Sequence, residues 1–411
     1  MTIALVPHRA TTRHLASCYL LQADPQINCG PVLGLDVRTS ACFSFEPFAA
    51  YAAGIITNPN LLVLGEVGSG KSTVAKLLAW GESALLGRSV AILDPKGEYG
   101  PLARLLGLET IRLAPGGRTR INPLDLSAST GVLDEHQHQR VEILGALGES
   151  GLGRPLRPDE RTGLEVALNA LPGTPLLRAV VDALLAPSSE SASTLHMGKE
   201  ELASSCRELA FALRRLVTGD LAGMFDGTST VRLDPNGHGV HVDLSPVYSN
   251  PSVLAPTMVA AGSWLNTLLR TGRRQHLLVL DETWQVLGDP GIGHWLRATM
   301  KLARAFGAAV VLVTHGLSDF RAVGDARSEA ARLAAALVAD TASTALLSHG
   351  DAAVADTVSH LGLSSPEGAL LGALGRGVAL WHVGANVAIV RHRVPGALLA
   401  AFDTDTRMRA A

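Results

Sequence analysis

The segment of residues 61–73 constrains the fold of this chain more than any other part of the sequence. It begins with a short apolar run, typical of a buried parallel strand, and passes through a glycine-rich turn into a stretch of helical character. The turn has the spacing Gly65-x4-Gly70-Lys71-Ser72, which is the spacing of a Walker A phosphate-binding loop. Strand, loop and helix in this order predict an α/β nucleotide-binding protein.

Each residue type in this loop has a physical role in holding phosphates. Gly68 and Gly70 let the backbone turn so that successive N–H groups converge on an anion, which the dipole of the following helix also favours. Lys71 is expected to reach the β- and γ-phosphates, and the Ser72 hydroxyl is expected to ligate Mg²⁺. The predicted nucleotide-binding residues are Gly65, Gly68, Ser69, Gly70, Lys71, Ser72 and Thr73.

The composition excludes several classes of protein. Of 411 residues, 47% are hydrophobic and 18% are charged, which is typical of a packed globular protein and not of a disordered one. The 35 basic and 37 acidic residues leave a net charge of -2, so any contact with nucleic acid has to be local. The sequence contains no CxxC pair, no evident signal peptide and no apolar run of the roughly 20 residues that span a bilayer. We therefore expect a cytoplasmic protein without a transmembrane segment of its own.

A second apolar strand ends in two acids. The run Leu-Leu-Val-Leu at residues 277–280 precedes Asp281 and Glu282, which is the form of a Walker B motif. Asp281 is expected to hold Mg²⁺ through water, and Glu282 is expected to polarise the attacking water. Alone the pattern is weak, because apolar strands often end in acidic turn residues. Paired with the phosphate-binding loop, it predicts a hydrolytic site.

Several further residues have two interpretations each. His315 follows another apolar strand and either senses the γ-phosphate or caps the following turn. Arg304 lies on a basic helical face that is either solvated or presents Arg304 to a neighbouring subunit as an arginine finger, with Arg376 as its rival. Asp94 and Glu98 follow the apolar strand before them and either position water or contact a neighbouring subunit, or form a structural turn.

The pattern of the chain changes along its length and predicts four parts. Residues 1–60 are expected to form a short β-rich segment that packs on the core, and residues 61–130 form the first part of the P-loop core. Helical periodicity over residues 131–227 indicates an inserted all-α lobe. Residues 228–411 complete the core, with the Walker B strand and a C-terminal hairpin.

Two peripheral β-hairpins are expected beside a mainly parallel, twisted sheet. The first joins residues 230–233 to 240–244 through the turn Asp234-Pro235-Asn236-Gly237. The second joins residues 378–383 to 387–394 near the C-terminus.

With these residues in view, the sequence resembles the HerA–FtsK superfamily of ring-forming P-loop motors. Within that superfamily it is similar to the VirB4-type ATPases of type IV secretion and conjugation systems. The resemblance runs from about residue 34 to residue 408. Besides the Walker motifs it rests on the order of Thr57-Asn58-Pro59-Asn60, Asp94-Pro95-Lys96-Gly97-Glu98-Tyr99, Asn122-Pro123-Leu124, Gly223-Met224-Phe225-Asp226-Gly227, Asp281-Glu282-Thr283-Trp284 and Phe402-Asp403-Thr404-Asp405-Thr406-Arg407-Met408.

The resemblance implies a RecA-like P-loop NTPase core with a helical lobe, hydrolysis of ATP with Mg²⁺, and a homo-oligomeric, hexameric ring. It also implies other secretion or conjugation components as partners, and DNA or protein as the transported substrate. Two features depart from the family. His315 stands where the family usually has Gln, and only about 60 residues precede the phosphate-binding loop, where members have a large docking domain. Peripheral attachment at the inner face of the cell membrane is therefore left open.

Three functions are compatible with these observations. The first is an ATP-driven motor of secretion or conjugation. The second is a cytosolic DNA translocase of the HerA or FtsK kind, for which the basic segments 207–215 and 270–274 are candidate pore residues. The third is a nucleotide-dependent assembly scaffold with little turnover, which His315 favours and the intact Lys71, Asp281 and Glu282 oppose.

Overall fold

The structure is a computed structural model that describes residues 29–126, 133–234, 236–270, 274–282, 288–315, 336 and 338–403. Within these ranges the side chains of residues 133, 134, 302, 304, 351 and 352 are not described. Several parts of the sequence predictions therefore lie outside the described residues, and they include residues 1–28 of the N-terminal segment, residues 127–132, Pro235 of the predicted turn, residues 271–273 of the second basic segment, Thr283-Trp284, and residues 404–408.

The described residues form eleven strands and fourteen α-helices. The strands are β1 (Val32–Asp36), β2 (Cys42–Ser44), β3 (Leu61–Leu64), β4 (Ser89–Asp94), β5 (Glu109–Arg112), β6 (Gly239–Asp243), β7 (His276–Leu280), β8 (Ala308–Thr314), β9 (Ser343–Leu346), β10 (Val378–Val383) and β11 (Asn386–His392). The α-helices are α1 (Pro47–Ala52), α2 (Lys71–Trp80), α3 (Gly100–Leu106), α4 (Leu133–Leu152), α5 (Pro158–Asn169), α6 (Leu177–Leu185), α7 (Ser189–Thr194), α8 (Lys199–Ser205), α9 (Arg207–Thr218), α10 (Pro251–Leu269), α11 (Pro290–Ala305), α12 (Asp351–Leu361), α13 (Ser365–Ala373) and α14 (Leu399–Phe402).

The chain divides into two compact units, and the first comprises residues up to 86 and from 309 onward. Its strands are hydrogen-bonded in the order β2-β1-β11-β10-β9-β3-β8. β3 lies between β9 and β8 and is parallel to both, and its four residues are all buried, which explains why all four are apolar. β10 and β11 form the predicted C-terminal hairpin, with Val383 opposite Asn386. The expected hairpin at this end of the chain is therefore confirmed.

An aromatic cluster holds the antiparallel strands of this unit together. The ring centroids of Phe43 and Phe45 lie 5.1 and 5.2 Å from that of Trp381 on β10, and all three side chains are buried. Tilted aromatic pairs at these separations stabilise a fold by about 0.5–1.5 kcal/mol each beyond the area that they bury. The cluster anchors β2 against the sheet of the first unit.

The second unit, residues 87–308, has a sheet of parallel strands in the order β7-β4-β6-β5. All six residues of β4 and all five of β7 are buried, as expected of interior strands covered on both faces. Carboxyl ends of parallel strands meet at one edge of a sheet. Asp94 at the end of β4 and Asp281 after β7 therefore come close together.

The hairpin predicted around residues 230–244 is wrong. β6 pairs in parallel with β4 on one side and with β5 on the other, while residues 230–233 form no strand. Within the predicted turn, Asn236 N–H donates to Asp234 Oδ1 at 2.9 Å. The central residues of β6, Val240, His241 and Val242, are buried, and an interior position between two parallel strands buries them more completely than a peripheral hairpin would.

Helices occupy most of the rest of the second unit. Six of them, α4 to α9, follow one another between Leu133 and Thr218. On α9 the leucines at 209, 213 and 216 are buried, which matches the spacing that predicted one apolar face. No helix in the described part of the chain is long and apolar enough to cross a membrane. The predicted four-part division stays a prediction.

Candidate active site

The phosphate-binding loop follows β3 and ends where α2 begins at Lys71. Gly68 and Gly70 have φ angles of 79° and 112°, a left-handed conformation that costs other residues about 1–2 kcal/mol and suits glycine. A Cβ on Gly70 would also lie 3.3 Å from Gly377 Cα. The first N–H groups of any α-helix have no intrahelical acceptor, so this entry into α2 provides donors for an anion.

Lys71 and His315 lie side by side in the first unit. Lys71 Nζ donates to the backbone oxygen of Glu66 at 2.8 Å and lies 3.2 Å from His315 Nδ1. An ammonium group only donates, so His315 Nδ1 is the acceptor. His315 reaches this place because β8, which it follows, is parallel to β3. The structure therefore brings together the loop lysine and the predicted sensor.

The first turn of α2 carries the two hydroxyl residues of the motif. Ser72 and Thr73 are both half-buried, directly after Lys71. Helix N–H groups and a lysine ammonium can donate hydrogen bonds to phosphates, and a serine hydroxyl can ligate Mg²⁺. Together these groups fit a nucleoside triphosphate with Mg²⁺.

Two neighbouring segments brace the loop. Gly377 N–H donates to Ser69 O at 2.8 Å, so the exposed Arg376 lies one residue from a direct contact with the loop. Glu66 N–H donates to the backbone oxygen of Ser348 at 2.9 Å. The next residue, His349, is buried, and burial lowers its pKa. The loop conformation thus depends on segments far from it in sequence.

In the second unit, Asp281 is buried and receives two hydrogen bonds. Tyr99 Oη donates to Asp281 Oδ2 at 2.7 Å, and Glu282 N–H donates to Oδ1 at 2.8 Å. Burial raises the pKa of Asp281 to about 6, although the Tyr99 hydrogen bond opposes this rise. The nearby charge of Glu282 acts in the same direction as burial. The tyrosine therefore orients the carboxylate and favours its ionised form.

Glu282 adopts an unusual backbone conformation and is paired with a lysine. Its φ angle is 52°, in the left-handed region, and the residue is only 5% exposed. Lys96 Nζ donates to Glu282 Oε1. Burial lowers the pKa of Lys96, but the hydrogen bond and charge of Glu282 outweigh burial and the pKa is raised. Lys96 therefore carries its full positive charge at neutral pH.

Asp94 holds the turn that presents these residues. Its Oδ1 accepts the N–H groups of Gly97 and Glu98 at 2.8 and 3.1 Å, and its Oδ2 accepts Tyr99 N–H at 2.8 Å. His241 Nε2 lies 2.9 Å from the same Oδ2. Of the two interpretations offered for Asp94, the contacts favour the structural turn, because both carboxylate oxygens are engaged by this chain.

The sequence did not assign roles to Lys96, Tyr99 or His241. The first two belong to a motif that carried the resemblance, but a motif does not say which distant side chain each residue contacts. His241 is the imidazole in the middle of the buried strand β6, and a polar residue in such a run is the signal that was available.

Arg304 lies in α11, but its side chain is outside the described part of the structure. Its role as an arginine finger therefore stays a prediction. The catalytic roles assigned to the other predicted site residues also stay predictions.

Two comparisons at the level of sequence bear on this site. A family described as "Helicase HerA, central domain" matches residues 56–140, which include the loop and the Asp94 turn. The type IV secretion system protein CagE of Helicobacter pylori is 22% identical over 234 residues, which are 55% of this chain and 23% of CagE. The chain thus spans less than a quarter of the length of this curated relative.

Similar solved structures cover most of the chain. VirB4 of Thermoanaerobacter pseudethanolicus superposes with a TM-score of 0.70 at 23% identity, over 90% of this chain and 98% of that one. The plasmid coupling protein TrwB, in complex with ADP and Mg²⁺, superposes with a TM-score of 0.59 at 18% identity, over 82% of this chain and 86% of TrwB. At these identities the likeness establishes the fold.

The family match, the relative and the solved structures bear out two of the predictions made from the sequence. They confirm the predicted fold class, a RecA-like P-loop core with a mainly parallel sheet and helices. They also confirm the resemblance to the VirB4-type ATPases of the HerA–FtsK superfamily that was drawn from the sequence.

Proposed function

We propose that this chain is a VirB4-like motor ATPase, which hydrolyses ATP with Mg²⁺ to drive the transfer of DNA or protein by a type IV secretion or conjugation system. The arrangement around Lys71 carries the proposal: the lysine begins α2 after a left-handed glycine turn and lies beside His315. The proposal is supported by the similarity to VirB4 and to TrwB, which was solved with ADP and Mg²⁺.

Each of the predicted site residues has a separate role in hydrolysis. Bound Mg-ATP supplies the electrophilic phosphorus and a metal ion that stabilises negative charge. Lys71 would hold the β- and γ-phosphates, and Ser72 and Asp281 would hold the metal ion, Asp281 through water. Glu282 orients the attacking water and accepts its proton, since carboxylates act as general bases at such positions. His315 contacts the γ-phosphate or the water from the side of Lys71.

The proposal extends to assembly and partners. We expect a hexameric ring that works with other secretion or conjugation components, peripheral to the inner face of the membrane. In such a ring Arg304 of one subunit completes the site of the next, and Arg376, which is exposed beside the loop, is the rival for that role.

A cytosolic DNA translocase is the second candidate function. The match of residues 56–140 to the HerA central domain favours it. Binding of the DNA backbone is electrostatic, so salt-sensitive DNA binding with stimulated hydrolysis would select this function.

ATP hydrolysis measured against protein concentration tests the proposal. We expect turnover per subunit to rise with concentration as the ring assembles, to be abolished in Lys71→Ala, and to fall to a small residual rate in Glu282→Gln. Glu282→Gln keeps the size of the side chain and should still bind ATP, so it is the matched control for loss of nucleotide affinity. Turnover that is unaffected by Glu282→Gln would refute the assigned base. Binding of ATP without turnover under any condition would replace the motor by the assembly scaffold.

A further inference from the structure

Glu282 is held in a conformation that it would not adopt alone. A left-handed backbone costs a residue with a side chain about 1–2 kcal/mol, and such outliers persist only where the surroundings impose them. Among non-glycine residues of the described chain, only Ser40, His196 and Glu282 have a positive φ, and Glu282 is the one that lies in the candidate site. Contacts at both its backbone and its side chain hold it there, since its N–H donates to Asp281 Oδ1 and its Oε1 accepts from Lys96.

The lysine is itself placed by the core of the second unit. Lys96 belongs to the turn that Asp94 closes through the N–H groups of residues 97 to 99, and Asp94 is buried. The side chain of Lys96 is 27% exposed, and its Nζ lies 5.9 Å from the centroid of the Tyr248 ring. The ammonium group is therefore a fixed donor and not a mobile surface charge.

Electrostatics explains why a cation is needed at this point. Glu282 and Asp281 are adjacent carboxylates, and both are almost fully buried. Two like charges repel each other strongly where water is excluded, so Glu282 would turn away from Asp281 unless a positive group held it. The ion pair with Lys96 engages Oε1 and so sets the direction in which the second oxygen, Oε2, points.

We propose that Lys96 is a positioning residue for hydrolysis: it holds the carboxylate of Glu282 in the orientation that polarises the attacking water. The inference rests on the proposed function and assigns a role in hydrolysis to Lys96. This residue contacts Glu282, which lies 186 positions away in sequence. Lys96 acts through Glu282 and not on the nucleotide. Its removal therefore lowers kcat and leaves the affinity for nucleotide unchanged.

Steady-state hydrolysis by Lys96→Met measures this effect. The substitution keeps a flexible apolar stem and removes the charge. We expect kcat to fall about 10- to 100-fold, since a misplacement of about 1 Å costs that much, while KM for ATP stays within about twofold. Lys96→Arg retains a cation and should recover part of the lost rate. Lys199→Met, at an exposed lysine on α8, is the matched control and should hydrolyse like the wild type.

A double-mutant cycle separates positioning from other roles. In the Glu282→Gln background the carboxylate is already gone, so Lys96→Met should lower the residual rate no further. An equal further loss in that background would overturn the proposal and make Lys96 a direct ligand of the nucleotide, as would a rise in KM at constant kcat. A higher kcat in Lys96→Met would also overturn the proposal, because the ion pair with Glu282 would then restrain hydrolysis instead of supporting it.

The outcomes also distinguish the two proposals. A wild-type protein without turnover refutes the proposed function and the role of Lys96 with it. A wild-type protein that turns over, with an unchanged Lys96→Met variant, refutes the positioning role alone. Urea unfolding of each variant establishes that it is folded, and Lys96→Gln replaces Lys96→Met if the latter is not.

Discussion

Replacing Tyr99 by Phe removes one hydroxyl group from the interior of the second unit. The side chain is completely buried, and the substitution removes the 2.7 Å hydrogen bond to Asp281 Oδ2. The ring keeps its shape, so no cavity large enough to matter is created. Asp281 Oδ1 keeps its bond from Glu282 N–H, whereas Oδ2 loses the donor that the described residues provide.

The expected loss of stability follows from the charge of the acceptor. Hydrogen bonds to charged groups contribute about 1.5–3 kcal/mol, and water cannot replace the donor at a buried site. We therefore expect the free energy of unfolding to fall by about 2 kcal/mol at pH 8, which is about a thirtyfold change in the unfolding equilibrium.

The pH dependence of this loss has a definite sign. The folded-state pKa of Asp281 is raised by burial to about 6, from 3.8. Stability from this group is therefore fully present below pH 3.8 and is lost as pH rises through 6. The Tyr99 bond favours the ionised form, so its removal raises the pKa further and extends the loss to higher pH. The variant should thus differ little from the wild type at pH 5 and most at pH 8.

Urea unfolding followed by tryptophan fluorescence, in buffer without Mg²⁺, measures the difference at the two pH values. Tyr51→Phe is the matched control, since Tyr51 is 44% exposed and its substitution should change stability by less than about 0.5 kcal/mol. A Tyr99→Phe variant as stable as this control at pH 8 would refute the assigned hydrogen bond. A loss of equal size at pH 5 and pH 8 would refute the role of the carboxylate charge.

Two further predictions concern the packing of α11 in the second unit. His294 lies 2.6 and 3.0 Å from carboxylate oxygens of Glu142 and Glu149, which raise its pKa to about 9. Its stabilisation is fully present below pH 6.5 and lost as pH rises through 9, so His294→Gln should cost about 1 kcal/mol at pH 6.5 and little at pH 9.5 in urea unfolding. Gly262→Ala places a methyl group 2.1 Å from Trp295 Cζ2 in a buried contact, and overpacking of this kind costs about 1–3 kcal/mol. Calorimetry should record a lower Tm for this variant, and an unchanged Tm would contradict the close approach of α10 and α11.

Local patterns determined the parts of the fold that depend on neighbouring residues. The run at residues 61–64, the turn glycines and Lys71 are contiguous, and strand, loop and helix N-terminus each follow from local backbone preferences. The C-terminal hairpin was predictable for the same reason, because its two strands are joined by a short turn.

Strand neighbours were not predictable in this way. A short segment such as β6, in which Val240 and Val242 flank His241, fits a hairpin or an interior parallel strand equally well on its own pattern. The choice depends on which partner strands bury it, and these are β4 and β5, from a part of the chain that precedes it by more than a hundred residues.

The tertiary structure alone decided how the chemistry is supported. Walker B acids are visible in the sequence, but the contacts that orient them cross 182 residues from Tyr99 to Asp281 and 186 residues from Lys96 to Glu282. Likewise, 244 residues separate Lys71 from His315. Sequence determines which residues can perform chemistry, since residue type and local spacing are enough for that. Only folding decides which of them meet, because the parallel strands within each unit bring distant strand ends to a common edge.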